Sequence, residues 1–146
     1  MGSPPRSTEL TRLGRALRRE LEPLVKQHPD EFGFPNYMGA CGVAAYAMCK
    51  LLRRLGSQPK LVMSGGPFPG SRHCWTEVDG FIVDLTATQF GYTKPVQVVT
   101  RRSEWHTPWL CEGRDALERL KTWDLQNPLK HREAIDAAVS RVLTPR

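Results

Sequence analysis

The dipeptide Asp79–Gly80 lies between two segments in which apolar residues alternate with polar or amphipathic ones, a pattern typical of a β-hairpin closed by a two-residue turn. The stretch reads RHCWTEVDGFIVDLTATQF, from Arg72 to Phe90. Such a turn sets the register of the hairpin, because residues then pair outward from it. The predicted pairs are Val78 with Phe81, Glu77 with Ile82, Thr76 with Val83, Trp75 with Asp84, Cys74 with Leu85 and His73 with Thr86.

The two faces of this hairpin differ in composition. One face is apolar apart from a threonine and should pack on the core; it comprises Cys74, Thr76, Val78, Phe81, Val83 and Leu85. The other comprises His73, Trp75, Glu77, Ile82, Asp84 and Thr86. On this face Asp84 is diagonal to His73, at roughly 7–8 Å between backbone positions, which side chains can bridge. We therefore expect the carboxylate to accept a hydrogen bond from the imidazole. The alternative is an exposed sheet face with a chance His–Asp neighbour.

The segment GACGVAAYAMCKLLRRLG has an apolar stripe wide enough to predict a buried helix from Ala40 to Leu55, ended by Gly56. Cys41 lies in the first turn of this helix, beside small residues. The free N–H groups and partial positive charge of a helix N-terminus stabilise a thiolate, and small neighbours let a substrate carbonyl approach the sulfur. Cys41 is therefore a candidate nucleophile. The alternative is a buried structural cysteine, which is what we expect of Cys49.

Cys41, His73 and Asp84 are more specific in combination than any of them alone. A thiol at a helix start, a histidine on a strand and a carboxylate on the paired strand are the parts of a nucleophile–base–orienter triad. In this interpretation His73 takes the proton of the Cys41 thiol. Asp84 holds the imidazole in the required tautomer and stabilises the imidazolium. The polar face of the hairpin would then be one wall of an active site.

The helix ACGVAAYAMCKLLRRLG, the strand KLVMSG and the hairpin HCWTEVDGFIVDLTATQF together resemble the catalytic core of the transglutaminase-like and papain-like cysteine hydrolase superfamily. Members show a Cys at a helix start, then His-x-Trp-x-Glu, then an Asp within an apolar strand. The resemblance covers roughly Asn36 to Phe90. It implies a papain-like α+β fold and covalent thiol catalysis, with Cys41 as nucleophile, His73 as base and Asp84 as orienter.

The resemblance also suggests supporting residues. Papain-like enzymes place an amide side chain a few residues before the nucleophile to help form the oxyanion hole, and Asn36 is the candidate here. Trp75 and Gln89 are expected to line or support the site, with Trp75 shielding the His–Asp pair from water. Transglutaminase activity itself is not implied, because Gly42 follows the nucleophile where transglutaminases usually have a bulky residue. The chain also lacks their β-sandwich and barrel domains and any calcium-ligand cluster.

The rest of the chain completes a single α+β domain over residues 1–146, in which helices flank a small antiparallel sheet. Leucines spaced three and four apart predict an amphipathic helix from Ser7 to Gln27, and residues 1–6 are expected to be disordered. The other predicted elements are a loop from His28 to Gly39, strands in PKLVMSG (59–65) and VQVVT (96–100), a loop in RRSEWHTPWLCEG (101–113), and helices over Arg114–Trp123 and Pro128–Leu143, the latter capped by Asn127.

His106 lies in SEWHTPW, between two tryptophans, and is interpreted as part of a lid or substrate wall, or of a packed surface loop. A zinc site formed by Cys41, His73, Cys74 and His106 is not favoured, because Cys74 and His73 point to opposite faces of the hairpin. We expect neither a metal nor another cofactor.

The composition restricts the kinds of partner that the protein is expected to bind and the compartment in which it is expected to lie. The net charge of +6 comes largely from arginines, but no nucleic-acid recognition motif accompanies it, which favours a solvated basic face over a nucleic-acid partner. No apolar run approaches the ~20 residues of a membrane helix, and no secretory h-region is visible. The four cysteines form no Cys-x-x-Cys pair, which fits a reducing compartment. The expected location is the cytoplasm, or delivery as an effector without a conventional signal peptide.

Two functions follow from the sequence. The first is a bacterial-type thiol hydrolase that cleaves amide bonds of a protein or peptide through a thioester: a peptidase, an amidase or a protein-glutamine deamidase. The alternative is a non-catalytic protein-binding module on the same fold, with the basic first helix as its interface.

Overall fold

The computed structural model describes residues 7–33, 39–66, 72–87, 96–100, 103–114 and 128–144. Its helices are α1 (Ser7–Gln27), α2 (Pro29–Phe32), α3 (Cys41–Arg54) and α4 (Arg132–Leu143), the last preceded by a 3₁₀ turn (Pro128–His131). Its strands are β1 (Lys60–Gly65), β2 (Arg72–Val78), β3 (Phe81–Asp84), β4 (Gln97–Thr100) and β5 (Leu110–Arg114). The described chain is therefore α+β, as the sequence predicts.

The strands form one antiparallel sheet in the order β4-β3-β2-β1-β5. The hairpin has the predicted register, with Val78 opposite Phe81 and Thr76 opposite Val83. Asp79 and Gly80 both have positive φ, at 50° and 82°, which the mirror-image turn of a two-residue hairpin requires. Strand β3 ends at Asp84, so the two outermost predicted pairs, Cys74 with Leu85 and His73 with Thr86, lie beyond it.

Both faces of the sheet are covered. Helices α1, α3 and α4 build the main core on one face, together with the predicted apolar residues of the hairpin, which include Cys74, Val78, Val83 and Leu85. On the other face a smaller cluster contains Val62, Trp75, Ile82 and Trp109, with Trp105 packed against it. The polar face of the hairpin is therefore buried beneath a second layer, and the alternative of an exposed sheet face is wrong.

The predicted helices α1 and α3 are confirmed. Helix α1 has the predicted bounds, and α3 differs from its prediction by one residue at each end. Gly56 follows α3 with φ 88°, and its N–H bonds the carbonyl of Arg53 at 3.0 Å, so it ends the helix as expected.

Three predicted boundaries are wrong. The loop assigned to 101–113 contains strand β5, which pairs with β1 and includes Arg114, the residue predicted to begin a helix. The segment LCEGR contains no β-branched residue, so its composition does not indicate a strand. It forms one because the edge of β1 supplies its hydrogen-bond partners. The predicted loop from His28 to Gly39 contains the short helix α2, which Pro29 begins. The first turn of the last predicted helix is 3₁₀ rather than α.

Several predictions fall outside the described residues. These are disorder at 1–6, Asn36, Gln89, the helix from 115 to 123, and the cap Asn127. Among the helices that the structure describes, none combines the length and apolar character needed to cross a membrane.

Candidate active site

Cys41 is the first residue of α3, and the segment before it packs closely against α2. The N–H of Gly39 donates to the carbonyl of Phe32 at 3.1 Å, which holds the segment before α3 against α2. Ala40 occupies the N-cap position and has no side chain that could cap the helix. The first turn of α3 therefore presents the positive end of the helix dipole beside Cys41.

His73 and Asp84 form the predicted contact across the hairpin. His73 Nε2 lies 2.7 Å from Asp84 Oδ2, and both side chains are 0% exposed. An N–H donating to a carboxylate at this distance is a strong, charge-assisted hydrogen bond. Since Nε2 is engaged by Asp84, the ring nitrogen left for Cys41 is Nδ1.

The Asp84 carboxylate has two further donors. The backbone N–H of Thr86 donates to Oδ1 at 3.1 Å. His106 Nε2 lies 2.9 Å from Oδ2, the same oxygen that His73 contacts. These donors and the charge of His73 offset the cost of burying a carboxylate and hold the pKa of Asp84 well below its usual range. Asp84 is therefore a fixed negative charge between two imidazoles.

Tryptophans surround the two imidazoles. The ring of His73 lies 5.7 Å from Trp75, 5.7 Å from Trp105 and 5.6 Å from Trp109, measured between centroids. Trp75 also contacts the ring of His106 edge-on at 4.9 Å. This aromatic shell excludes water from the His–Asp pair, and electrostatic attraction is stronger where water is excluded.

Cys41 interacts with both His73 and Cys74, which are adjacent residues at the start of β2. A hydrogen bond from the Cys74 thiol lowers the pKa of Cys41 most strongly; burial opposes this, and the hydrogen bond and charge of His73 add to the lowering. The net result is a pKa of about 5 for Cys41. The corresponding pKa of Cys74 is raised, because its thiol donates to Cys41 and is buried. Cys41 is thus the thiolate of the pair and Cys74 the neutral donor.

The imidazole of His73 is stabilised in its charged form. Burial disfavours the imidazolium, but the charge and hydrogen bond of Asp84, together with those of Cys41, outweigh burial and raise the pKa to about 9. Between about pH 5 and about pH 9 the two residues therefore form a thiolate–imidazolium pair. This is the ionisation state from which a cysteine nucleophile attacks.

The structure brings together four of the six site residues that the sequence predicts: Cys41, His73, Asp84 and Trp75. Trp75 packs against His73 and His106, and its indole N–H has no hydrogen-bond partner in the described part of the chain. Asn36 and Gln89 lie outside the described residues. Among the residues that the structure describes, no group of three or more His, Cys, Asp or Glu side chains is arranged to hold a metal ion.

Sequence reasoning missed two participants, Cys74 and His106. Cys74 was assigned to the core face and therefore kept away from the site, but α3 packs on that same face and begins at Cys41. A core-facing residue at the start of β2 is thus placed to meet the first turn of α3. For His106 the sequence offered only its position between two tryptophans, and no local pattern links it to Asp84.

Comparison with known proteins adds no family. The chain matches no family model, and it has no significant match among curated proteins or solved structures.

Proposed function

We propose that this protein is a cysteine-dependent acyl-transfer enzyme, a hydrolase of amide bonds in a protein or peptide, with a Cys41–His73–Asp84 triad. The observation that carries the proposal is the continuous chain of interactions from Cys41 through His73 to a buried carboxylate 2.7 Å from the imidazole. A structural cysteine needs no such partners, whereas a nucleophile needs a histidine and the histidine needs an orienter.

The proposed reaction forms and cleaves one thioester. The Cys41 thiolate attacks the amide carbonyl, and the C–N bond breaks as the His73 imidazolium gives its proton to the leaving nitrogen. Neutral His73 then takes a proton from water, the hydroxide attacks the thioester, and the carboxylic acid leaves as the thiolate reforms. The positive end of the α3 dipole favours the developing oxyanion, and Asn36 is the proposed side-chain donor to it.

The arrangement supports membership of the papain-like and transglutaminase-like superfamily. A helix that begins at the nucleophile packs on an antiparallel sheet, and the sheet carries the base and the orienter on neighbouring strands. That order of elements matches the resemblance found in the sequence. Peptidase, amidase and deamidase chemistry share the triad and differ in the group that enters the pocket, so the substrate class proposed is the amide bond of a protein or peptide.

Access to the sulfur requires movement. Cys41 is 1% exposed and His73 is 0% exposed, so a substrate carbonyl reaches the thiolate only after groups around it are displaced. Small electrophiles are therefore the appropriate probes of the resting protein.

The test is the alkylation rate of Cys41 by iodoacetamide as a function of pH, read by peptide mass spectrometry. It is best performed in a Cys111→Ala background, because Cys111 is exposed and would also be alkylated. We expect the rate to rise around pH 5 and to be high at neutral pH. His73→Ala should shift this rise toward the ordinary thiol range near ~8.5.

A second measurement reports acyl transfer directly. Mixing the protein with p-nitrophenyl acetate should release a burst of nitrophenolate and leave one acetyl group on Cys41, and Cys41→Ala should abolish both while the protein remains folded. If Cys41 titrates like a free thiol and forms no acyl-enzyme, the proposal fails, and the non-catalytic binding module becomes the better explanation.

A further inference from the structure

A second imidazole, that of His106, has no part in the triad, yet it contacts the carboxylate that orients the triad histidine. His106 Nε2 and His73 Nε2 approach the same oxygen of Asp84, at 2.9 and 2.7 Å. His106 is 4% exposed and is flanked by Trp75 and Trp105, so water competes poorly for this contact. Buried polar side chains are hydrogen-bonded, and the partner of His106 is the same carboxylate that the candidate base contacts.

The other side of the His106 ring is fixed by Ser103. Ser103 Oγ lies 2.9 Å from His106 Nδ1 and accepts the backbone N–H of His106 at 3.3 Å. An ionised carboxylate only accepts hydrogen bonds, so the nitrogen that contacts Asp84, Nε2, carries the ring proton. The other nitrogen, Nδ1, then accepts from the Ser103 hydroxyl. Ser103 thus stabilises the tautomer of His106 that donates to Asp84.

The hydrogen bonds to the Asp84 carboxylate fix its orientation. The backbone N–H of Thr86 holds Oδ1 at 3.1 Å, and His106 holds Oδ2 at 2.9 Å. With both oxygens engaged by donors other than His73, the plane of the carboxylate is defined before His73 binds it. Outer hydrogen-bond partners of this kind are the usual means by which a functional histidine or carboxylate is kept in its working geometry.

We propose that His106 is a positioning residue, held in its donor tautomer by Ser103, that keeps the Asp84 carboxylate directed at His73 and so keeps the Cys41–His73 ion pair assembled. The proposal rests on the proposed function, since it assigns His106 a task in the same triad. His106 touches neither the thiolate nor the substrate carbonyl in this scheme; it acts through Asp84.

The decisive variants are His106→Phe, His106→Gln and Ser103→Ala. Phenylalanine keeps the ring and removes the donor, whereas the amide of glutamine can place an N–H near the position of Nε2. We expect His106→Phe to raise the pH at which Cys41 alkylation sets in by about one unit and to slow acetylation by p-nitrophenyl acetate about 10-fold, the low end of the losses seen when such outer partners are removed. His106→Gln should lie nearer to wild type, and Ser103→Ala should shift both quantities in the same direction as His106→Phe, by less.

Thr107→Ala is the matched control for packing of this turn. Thr107 is exposed, and its hydroxyl donates to the carbonyl of Ser103 at 2.6 Å, so the substitution disturbs the same turn without touching Asp84. Its alkylation and acetylation profiles should match those of wild type. A melting curve for each variant separates loss of fold from loss of orientation. If His106→Phe fails to fold, the alkylation and acetylation profiles of Ser103→Ala test the positioning role in its place.

The outcomes separate the two proposals. If wild-type Cys41 shows neither the low alkylation pH nor an acyl-enzyme, the proposed function fails. If wild type shows both and folded His106→Phe keeps the same pH profile and acetylation rate, the function stands and the positioning role is overturned. The same holds if Thr107→Ala changes the profile as much as Ser103→Ala does.

Discussion

A thiol and an imidazole both stabilise the charge on Cys41, and the hydrogen bond from the Cys74 thiol is the largest single cause of the lowered pKa of Cys41. A thiol is a weak hydrogen-bond donor in water, but Cys41 and Cys74 are both buried, where any donor to an anion counts for more. The low pKa of Cys41 is thus a property of a three-residue group and not of the helix terminus alone.

Cys74→Ala should therefore raise the pKa of Cys41 from about 5, because the anion loses its strongest donor. The measurement is the pH dependence of iodoacetamide alkylation. Cys49→Ala is the matched control: Cys49 is also buried, but its sulfur lies 3.7 Å from the hydroxyl of Thr76 and further along α3. An unchanged onset in Cys74→Ala, or an equal change in Cys49→Ala, would contradict this assignment.

Asp84→Asn should keep the shape of the site and slow the chemistry. The amide can donate as well as accept, so His73 can adopt the wrong tautomer, and its imidazolium loses the counter-charge. We expect acyl-enzyme formation to fall by about 10²–10⁴-fold, the upper figure being that of the serine triad. Pre-steady-state kinetics with p-nitrophenyl acetate measures this rate. A rate within about twofold of wild type would mean that Asp84 is only a strand residue.

At the scale of elements, the position of Cys41 depends on how α2 and α3 meet. A Cβ atom at Gly39 would lie 2.2 Å from the carbonyl oxygen of Glu31, in the backbone of α2. That contact is too short for any side chain, and the backbone of α2 cannot move aside as a flexible side chain could. Glycine at this position therefore sets the entry of the chain into α3, two residues before Cys41.

Gly39→Ala should both destabilise the protein, by about 1–3 kcal/mol as overpacking does, and slow Cys41 alkylation about tenfold or more, since a displacement of ~1 Å can be that costly. Urea denaturation and alkylation rates measure the two effects. Gly65→Ala is the control, because a Cβ there would meet only the end of the Glu112 side chain, at 2.8 Å. If Gly39→Ala is as well tolerated as Gly65→Ala, the close approach does not position Cys41.

At the scale of the whole molecule, the site links ionisation to folding. The pKa of His73 rises from 6.5 to about 9 on folding, so its contribution to stability is complete below pH 6.5 and is lost as the pH rises to about 9. The pKa of Cys41 falls from 9.0 to about 5, so its contribution is complete above pH 9.0 and is lost as the pH falls to about 5. Between pH 6.5 and 9 the two contributions to stability change in opposite directions. Below pH 6.5 only the contribution of Cys41 still changes.

Wild-type stability should therefore change little between pH 9 and 6.5 and fall between 6.5 and 5. Cys41→Ala should lack the fall in the latter interval, because it has no thiolate to protonate. Both proteins should lose stability as the pH falls below 3.8. The pKa of Asp84 is lower in the folded state, so protonation of its carboxylate destabilises that state. Urea unfolding midpoints across this range test the prediction. Parallel curves for wild type and Cys41→Ala between pH 6.5 and 5 would contradict it.

Local patterns in the sequence determined the hairpin, its register and the helices α1 and α3. Asp79–Gly80 permits only a few turn geometries, and a two-residue turn leaves one register that buries the apolar face. Leucine spacing defined α1, and the wide apolar stripe with Gly56 after it defined α3. From these elements the approach of His73 to Asp84 followed, because neighbours across a hairpin are neighbours in the sequence pattern.

Only the tertiary structure decided what lies against that hairpin. Strand β5 forms because β1 offers an unpaired edge, and its own residues carry little strand preference. Its arrival places the turn from Ser103 to Trp109 over the polar face, and with it His106 on Asp84. Likewise Cys74 meets Cys41 because α3 crosses the core face of β2. Contacts between segments distant in the chain depend on how whole elements pack, and no local pattern of residues encodes them.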